Sequence, residues 1–323
     1  SKELDNRYRR ASHLFLATSV FSALLILVFE CYIYAVINIH KKKFNSKERY
    51  AEILIYLSLF IFAAFYQVLL TIIGLKTKNM LLLAMLCIFY GCMLIYTGIQ
   101  FEEVGFSISN GLSPSWQQST RGTNIATIVV IALTLVSQVY MIFGVLRKNV
   151  KWFRYKKIGG DLHIKKMYTI FQIHRALLIF DFFFFIGFTV QFIVIMIANK
   201  KSLEFILTVC VLPLTILVLF ASDFATTREI KLLTICTISL FLMSCAYVLF
   251  KIIRLYTKYS SAYNIGVTPG SYFPGRKSLV TFGIITLILL LLTVTIECIM
   301  LKNYNHGLLP LVSTYYSKMP FHN

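Results

Sequence analysis

The residues best equipped for chemistry in this chain are a few ionisable side chains set in apolar surroundings. Asp181 sits near the middle of an almost unbroken apolar run between Lys165-Lys166 and Lys200-Lys201, and His174 precedes it by seven residues, on the same helical face. An ionisable group at the centre of a bilayer costs at least about 2.5–3.5 kcal/mol, so it normally faces protein or water and has a partner. An acid and an imidazole so placed can form a proton or cation site, or anchor a polar ligand. The alternative is a carboxyl group that locks helix packing. Arg175 lies about 240° round the helix from Asp181, so a carboxylate on another helix, or snorkelling, is its expected use. Glu30 lies in the first apolar run. If the first and fifth helices run in the same direction, Glu30 and Asp181 fall at related depths and a shared polar cavity is open to them. Glu297, within about a turn of Lys302, can reach the membrane interface; with Arg175 it is a further candidate for the ion or ligand site. Asp223, beside Arg228 and Glu229, reads as an interfacial charge.

Positioning these residues requires helices that cross a membrane. A hydrocarbon core of about 30 Å needs roughly 20 helical residues, and the run around Asp181 exceeds thirty. The hydropathy pattern predicts an all-α polytopic bundle forming a single transmembrane domain over residues 1–323. Its spans fall at about 13–39, 51–75, 80–98, 124–146, 168–199, 203–224, 229–255 and 278–301. Seven spans is the alternative, because the connections near 200–202 and 225–228 are short enough for one segment to be interfacial or re-entrant. Residues 75–79 predict a tight turn between antiparallel neighbours. Residues 99–123 form the longest stretch without a basic run and read as a polar loop. Pro213 is expected to kink the sixth span, and Gln67, Gln138 and Gln191 to hydrogen-bond between helices.

Composition excludes a soluble fold. Apolar residues make up 58% of the 323 positions and charged ones 14%, against about 45–50% and about 25% in soluble domains. The net charge of +19 arises from 32 Lys and Arg against 13 Asp and Glu. These bases sit almost wholly between the apolar runs, where positive-inside bias and anionic headgroups account for them, so no nucleic-acid partner is expected. The bias favours cytosolic N- and C-termini. Membrane lipids, anionic ones included, are the expected partners, with protein partners or self-association as alternatives. The segment holding Lys148, Lys151, Trp152, Arg154, Lys156 and Lys157 has the composition of a lipid-headgroup contact; the alternative is a plain positive-inside loop.

Cys31, Cys87, Cys92, Cys210, Cys236, Cys245 and Cys298 all fall inside apolar runs without metal-ligand or disulfide spacing, and read as small packing residues. No Asn-x-Ser/Thr sequon occurs, and the first apolar run is too long for a signal-peptide core, so it is expected to stay as a span. Zinc-protease, nucleophile-elbow and phosphate-loop signatures are absent, so no enzyme, metal or cofactor is expected.

The run Phe180-Asp181-Phe182-Phe183-Phe184-Phe185-Ile186-Gly187-Phe188 resembles an uncharacterised fungal family of multi-pass Golgi-apparatus membrane proteins. So do Gly74-Leu75-Lys76-Thr77-Lys78-Asn79 and the last span with its exit, Thr293 to Glu297 and Asn303 to Leu308. The tail departs from the Asn-Phe-Gly-like turn expected there. The resemblance implies an endomembrane, Golgi location and brings no catalytic residues. Two functions follow as expectations. One is a transporter-like or receptor-like bundle binding an ion or small polar ligand near the midplane; the other is a structural or trafficking partner of other proteins with no ligand site.

Overall fold

The computed structural model describes residues 2–40, 47–109, 112–147, 162–196, 203–257, 276–310 and 312. The described residues form α1 (Lys2–Ile39), α2 (Lys47–Lys76), α3 (Met80–Ser109), α4 (Pro114–Met141, continuing as a π-helical turn over Ile142–Leu146), α5 (Leu162–Met196), α6 (Leu203–Thr227), α7 (Lys231–Thr257) and α8 (Arg276–Asn303). Each contains a stretch long and apolar enough to cross a membrane, which makes eight. A helix satisfies its own backbone polar groups, the condition hydrocarbon imposes on any spanning segment.

α6 and α7, whose short connection raised the seven-span alternative, are separate helices of 25 and 27 residues, each long and apolar enough to cross a membrane. The expectation of a loop over residues 99–123 is corrected. α3 continues to Ser109, and α4 starts at Pro114, leaving only a short connection. Hydropathy marks the lipid-crossing part of a helix, whereas the hydrogen-bond ladder runs on into polar sequence. Pro114 suits the first turn, where its missing N–H has no partner to lose, and Ser113 before it is extended.

The chain divides into two compact units, Ser1–Lys151 with Gly266–Leu279, and Trp152–Ile265 with Val280–Asn323. In the first, α1 to α4 close a ring: α1 packs on α2, α2 on α3, α3 on α4, and α4 back on α1. Hydroxyls and amides tie this ring together, as small polar groups do between membrane helices. Ser19 and Thr71 hydroxyls lie 2.9 Å apart, Gln67 donates to the Ser19 carbonyl at 2.9 Å, and Thr134 donates to Ser22 at 2.9 Å. In the second unit, α5 packs on α6 and α6 on α7, while α8 joins through side chains such as Phe282, whose ring meets those of Phe183 and Phe184. α5 is the most deeply buried span, with 78% of its apolar window covered against 17% for α6.

Two short turns set the neighbours. After α2, the Asn79 N–H bonds to the Gly74 carbonyl at 3.1 Å and the Lys78 N–H to the Leu75 carbonyl at 3.3 Å, with Lys78 left-handed at φ 49°. This is a Schellman ending. Asn79 then starts α3 by accepting from the Leu81 and Leu82 N–H groups at 3.1 and 3.3 Å. The α6–α7 connection repeats the geometry: Ile230 N–H bonds to the Ala225 carbonyl at 2.9 Å, with Glu229 at φ 53°. The expected tight turn at 75–79 is therefore present. Gly74 lets the two helices approach, since a Cβ there would sit 2.7 Å from a methyl of Leu83.

Candidate functional site

The second unit brings two buried acids, Asp181 and Glu297, to the contact between α5 and α8. Asp181 is 1% exposed. Thr293 on α8 donates to its Oδ2 at 2.5 Å and also lies 3.0 Å from its own Leu289 carbonyl. Asp181 Oδ1 has no hydrogen-bond partner among the described residues. Beside it lies a cavity of about 210 Å³, lined by Asp181 and Phe185 of α5, Leu290 of α8 and residues of α6 and α7. Phe185, Phe241 and Leu290 are buried, whereas Leu214, Leu240 and Met243 are exposed and rim the opening. The exposed lining residues thus lie on α6 and α7, and Asp181 is among the buried ones.

Two turns earlier on α5, His174 Nε2 lies 3.1 Å from Glu297 Oε1, and neither side chain is exposed at all. The Ser222 hydroxyl donates to the same Oε1, and Thr237 donates to Oε2 at 3.3 Å. Ser222 Oγ is also 3.3 Å from His174 Nε2. The expectation that Glu297 can reach the interface is overturned. α8 runs on to Asn303, so Glu297 lies well inside it and is sealed by α5, α6 and α7.

Ser222, His174 and Glu297 have the residue types of a nucleophile, a base and an orienting acid, but not the geometry. A relay needs the serine and the acid on opposite ring nitrogens. Here both meet Nε2, and the serine proton points at the carboxylate; Nδ1 has no partner among the described residues. No three His, Cys, Asp or Glu side chains among the described residues come together to hold a metal ion.

Arg175 finds its carboxylate on another helix, as its angle predicts: Nε donates to Asp223 Oδ1 at 3.0 Å, with both side chains partly exposed. Asp223 is thereby tied to α5, a partner its sequence neighbours Arg228 and Glu229 did not suggest. Glu30 belongs to the first unit, where Gln100 on α3 donates to its Oε2 at 3.1 Å and Oε1 has no partner among the described residues. Lys251 is 2% exposed, with Nζ 5.1 and 5.8 Å from the Phe192 and Tyr247 ring centres and 3.5 Å from Thr208 Oγ1. Lys148, Lys151, Trp152, Arg154, Lys156 and Lys157 lie outside the described residues. All seven cysteines are free; Cys31, Cys210, Cys236 and Cys298 lie on exposed helix faces rather than in packing positions.

Sequence reasoning missed Ser222, Thr237, Thr293 and Gln100. The available signal was spacing: Thr293 and Glu297 are one turn apart on the same face, as His174 and Asp181 are two turns apart.

The chain is 28% identical, over 93% of its length and 89% of the relative's, to a UPF0658 Golgi apparatus membrane protein of Schizosaccharomyces pombe. The resemblance carried by the three motifs therefore extends along nearly the whole chain. No family model and no solved structure matches it. Eight spanning-length helices and this relative agree that the chain is a multi-pass membrane protein.

Proposed function

We propose that this chain is a Golgi-resident membrane protein without enzymatic chemistry, transporter-like or receptor-like, that holds an ion or a small polar-headed ligand near the middle of the bilayer. The observation that carries the reading is Asp181: one carboxyl oxygen is bonded to Thr293, the other is unpartnered among the described residues, and the group adjoins a cavity. A carboxyl group that served only to lock packing would be expected to have both oxygens engaged, because an unmade buried bond costs about 1–3 kcal/mol. The Golgi location rests on the fission-yeast relative. The excess of Lys and Arg on the N-terminal side supports cytosolic termini. The misaligned Ser222, His174 and Glu297 support a binding rather than a hydrolytic role.

The test is thermal unfolding of the purified full chain in detergent, with sodium, potassium, magnesium or calcium ions, or total membrane-lipid extract. A ligand bound only by the folded state raises the midpoint, by a few degrees at a hundredfold excess over Kd. At least one addition is expected to raise the wild-type midpoint, and Asp181→Asn, nearly isosteric, to fold with that shift abolished. No shift in the wild type, or the same shift in the variant, sinks the reading.

A further inference from the structure

The cavity beside Asp181 has a chemistry more specific than "small and polar". Its wall is largely apolar, with Phe185, Leu214, Phe241 and Leu290 drawn from four helices, Tyr247 beside them and Asp181 the single carboxyl group. These positions fall near the middle of the spans of α5, α6, α7 and α8 alike, so the cavity sits at the depth of the hydrocarbon midplane. Two wall hydroxyls are committed to their own helices: Thr215 donates to the Val211 carbonyl at 2.7 Å and Ser244 to the Leu240 carbonyl at 2.9 Å. Each therefore offers the cavity lone pairs only.

We propose that this cavity takes the hydroxyl head of a neutral membrane lipid, which enters sideways from the bilayer between α6 and α7. The proposal rests on the ligand-site reading above and names its ligand class. A hydroxyl both donates and accepts, so it answers Asp181 in either protonation state: it donates to the carboxylate and accepts from the acid. An anionic phosphate head finds no cation among the wall residues, and from Thr215 and Ser244 it would meet only acceptor lone pairs. An ammonium head would carry a full charge to the midplane, at a cost of about 2.5–3.5 kcal/mol or more. It would also approach Tyr247, whose ring already has Lys251 Nζ at 5.8 Å.

Size agrees. Cavities that enclose a drug-sized ligand run to about 300–1,000 Å³, so about 210 Å³ holds a head and its first carbons. The remainder of the lipid lies outside, along the exposed Leu214, Leu217 and Met243.

The experiment is photo-crosslinking of the full chain in lipid nanodiscs with three probes: a diazirine sterol, a diazirine diacylglycerol and, as the hydroxyl-free control, a diazirine phosphatidylcholine. At least one alcohol probe is expected to label α6 or α7 wall residues saturably, and the two arms tell sterol from diacylglycerol. The unlabelled alcohol should compete, and its methyl ether should compete roughly fivefold less well, the effect of one hydrogen bond. Ser244→Leu, which fills the cavity from a half-buried position without touching the acids, should remove the labelling. Labelling by neither alcohol above the phosphatidylcholine control overturns the proposal, as does equal competition by the methyl ether. If a cation raises the midpoint through Asp181 while no alcohol probe labels the cavity, the lipid assignment falls and the ligand-site reading stands.

Discussion

His174 Nε2 and Glu297 Oε1 face each other at 3.1 Å across α5 and α8, both wholly buried, and Ser222 and Thr237 close the carboxylate from α6 and α7. Four helices thus converge on one acid. Removing one member of such a pair leaves the others stranded; removing both with apolar replacements of similar volume is often nearly neutral.

That asymmetry gives the first prediction. Glu297→Leu alone should destabilise by about 3–5 kcal/mol, the size of a broken buried pair. Glu297→Gln, which keeps an acceptor for Ser222 and Thr237, should cost clearly less. The double variant His174→Phe, Glu297→Leu should be more stable than the sum of the single changes requires. Unfolding midpoints of these three variants and of His174→Phe alone, in one detergent, check this; strict additivity would show that the pair does not act as a unit.

Arg175 and Asp223 give a second test. Their side chains are only 26% and 31% exposed, and both lie within spanning helices, where an unpaired charge costs about 2.5–3.5 kcal/mol or more. Arg175→Gln, which leaves Asp223 without its cation, is predicted to lower the midpoint by several degrees, and the double variant Arg175→Gln, Asp223→Asn to recover part of the loss. A midpoint unchanged by Arg175→Gln would show that the pair contributes nothing to the fold.

Close packing at Gly283 supplies a third prediction. A Cβ there would lie 2.7 Å from Ile252 Cδ1 and 3.0 Å from Phe188 Cε2, on two different helices. Gly283→Val should destabilise by about 1–3 kcal/mol through overpacking. Gly91, whose Cβ would meet nothing within 4 Å, is the matched control: Gly91→Ala should be neutral or slightly stabilising, since alanine is the better helix former. Equal loss at both positions would refute the packing argument.

The fourth prediction concerns alkaline pH. Tyr304, just beyond α8, shares a hydrogen bond with Thr234 at 2.8 Å, and burial pushes its hydroxyl from 10.0 up to about 12. The fold favours the protonated form, so this contribution is complete below pH 10 and is lost as pH rises towards 12. Between those values the wild-type midpoint should fall faster than that of Tyr304→Phe. Parallel pH curves for the two proteins would count against it.

Much of the bundle was legible because lipid demands uninterrupted apolar helix, and a charge inside such a run stands out. Asp181, His174 and the off-face angle of Arg175 were readable on that ground. Glu297 was not, because closeness to Lys302 suggested an interfacial end, and nothing in the linear order shows that α5, α6 and α7 cover it. Ser222, Thr237 and Thr293 escaped notice for another reason. Serine and threonine are common in membrane helices and can satisfy themselves on their own backbone, as Thr215 and Ser244 do. Only the third dimension tells which hydroxyls reach across. The stretch 99–123 read as a loop because polar residues look alike whether a helix has ended or has merely left the hydrocarbon.

The two Schellman turns, at Lys78 and at Glu229, leave almost no chain between the helices they join. In the folded protein, α2 with α3 and α6 with α7 are thereby held as hairpins: neither helix of a pair can slide far along its axis without dragging the other.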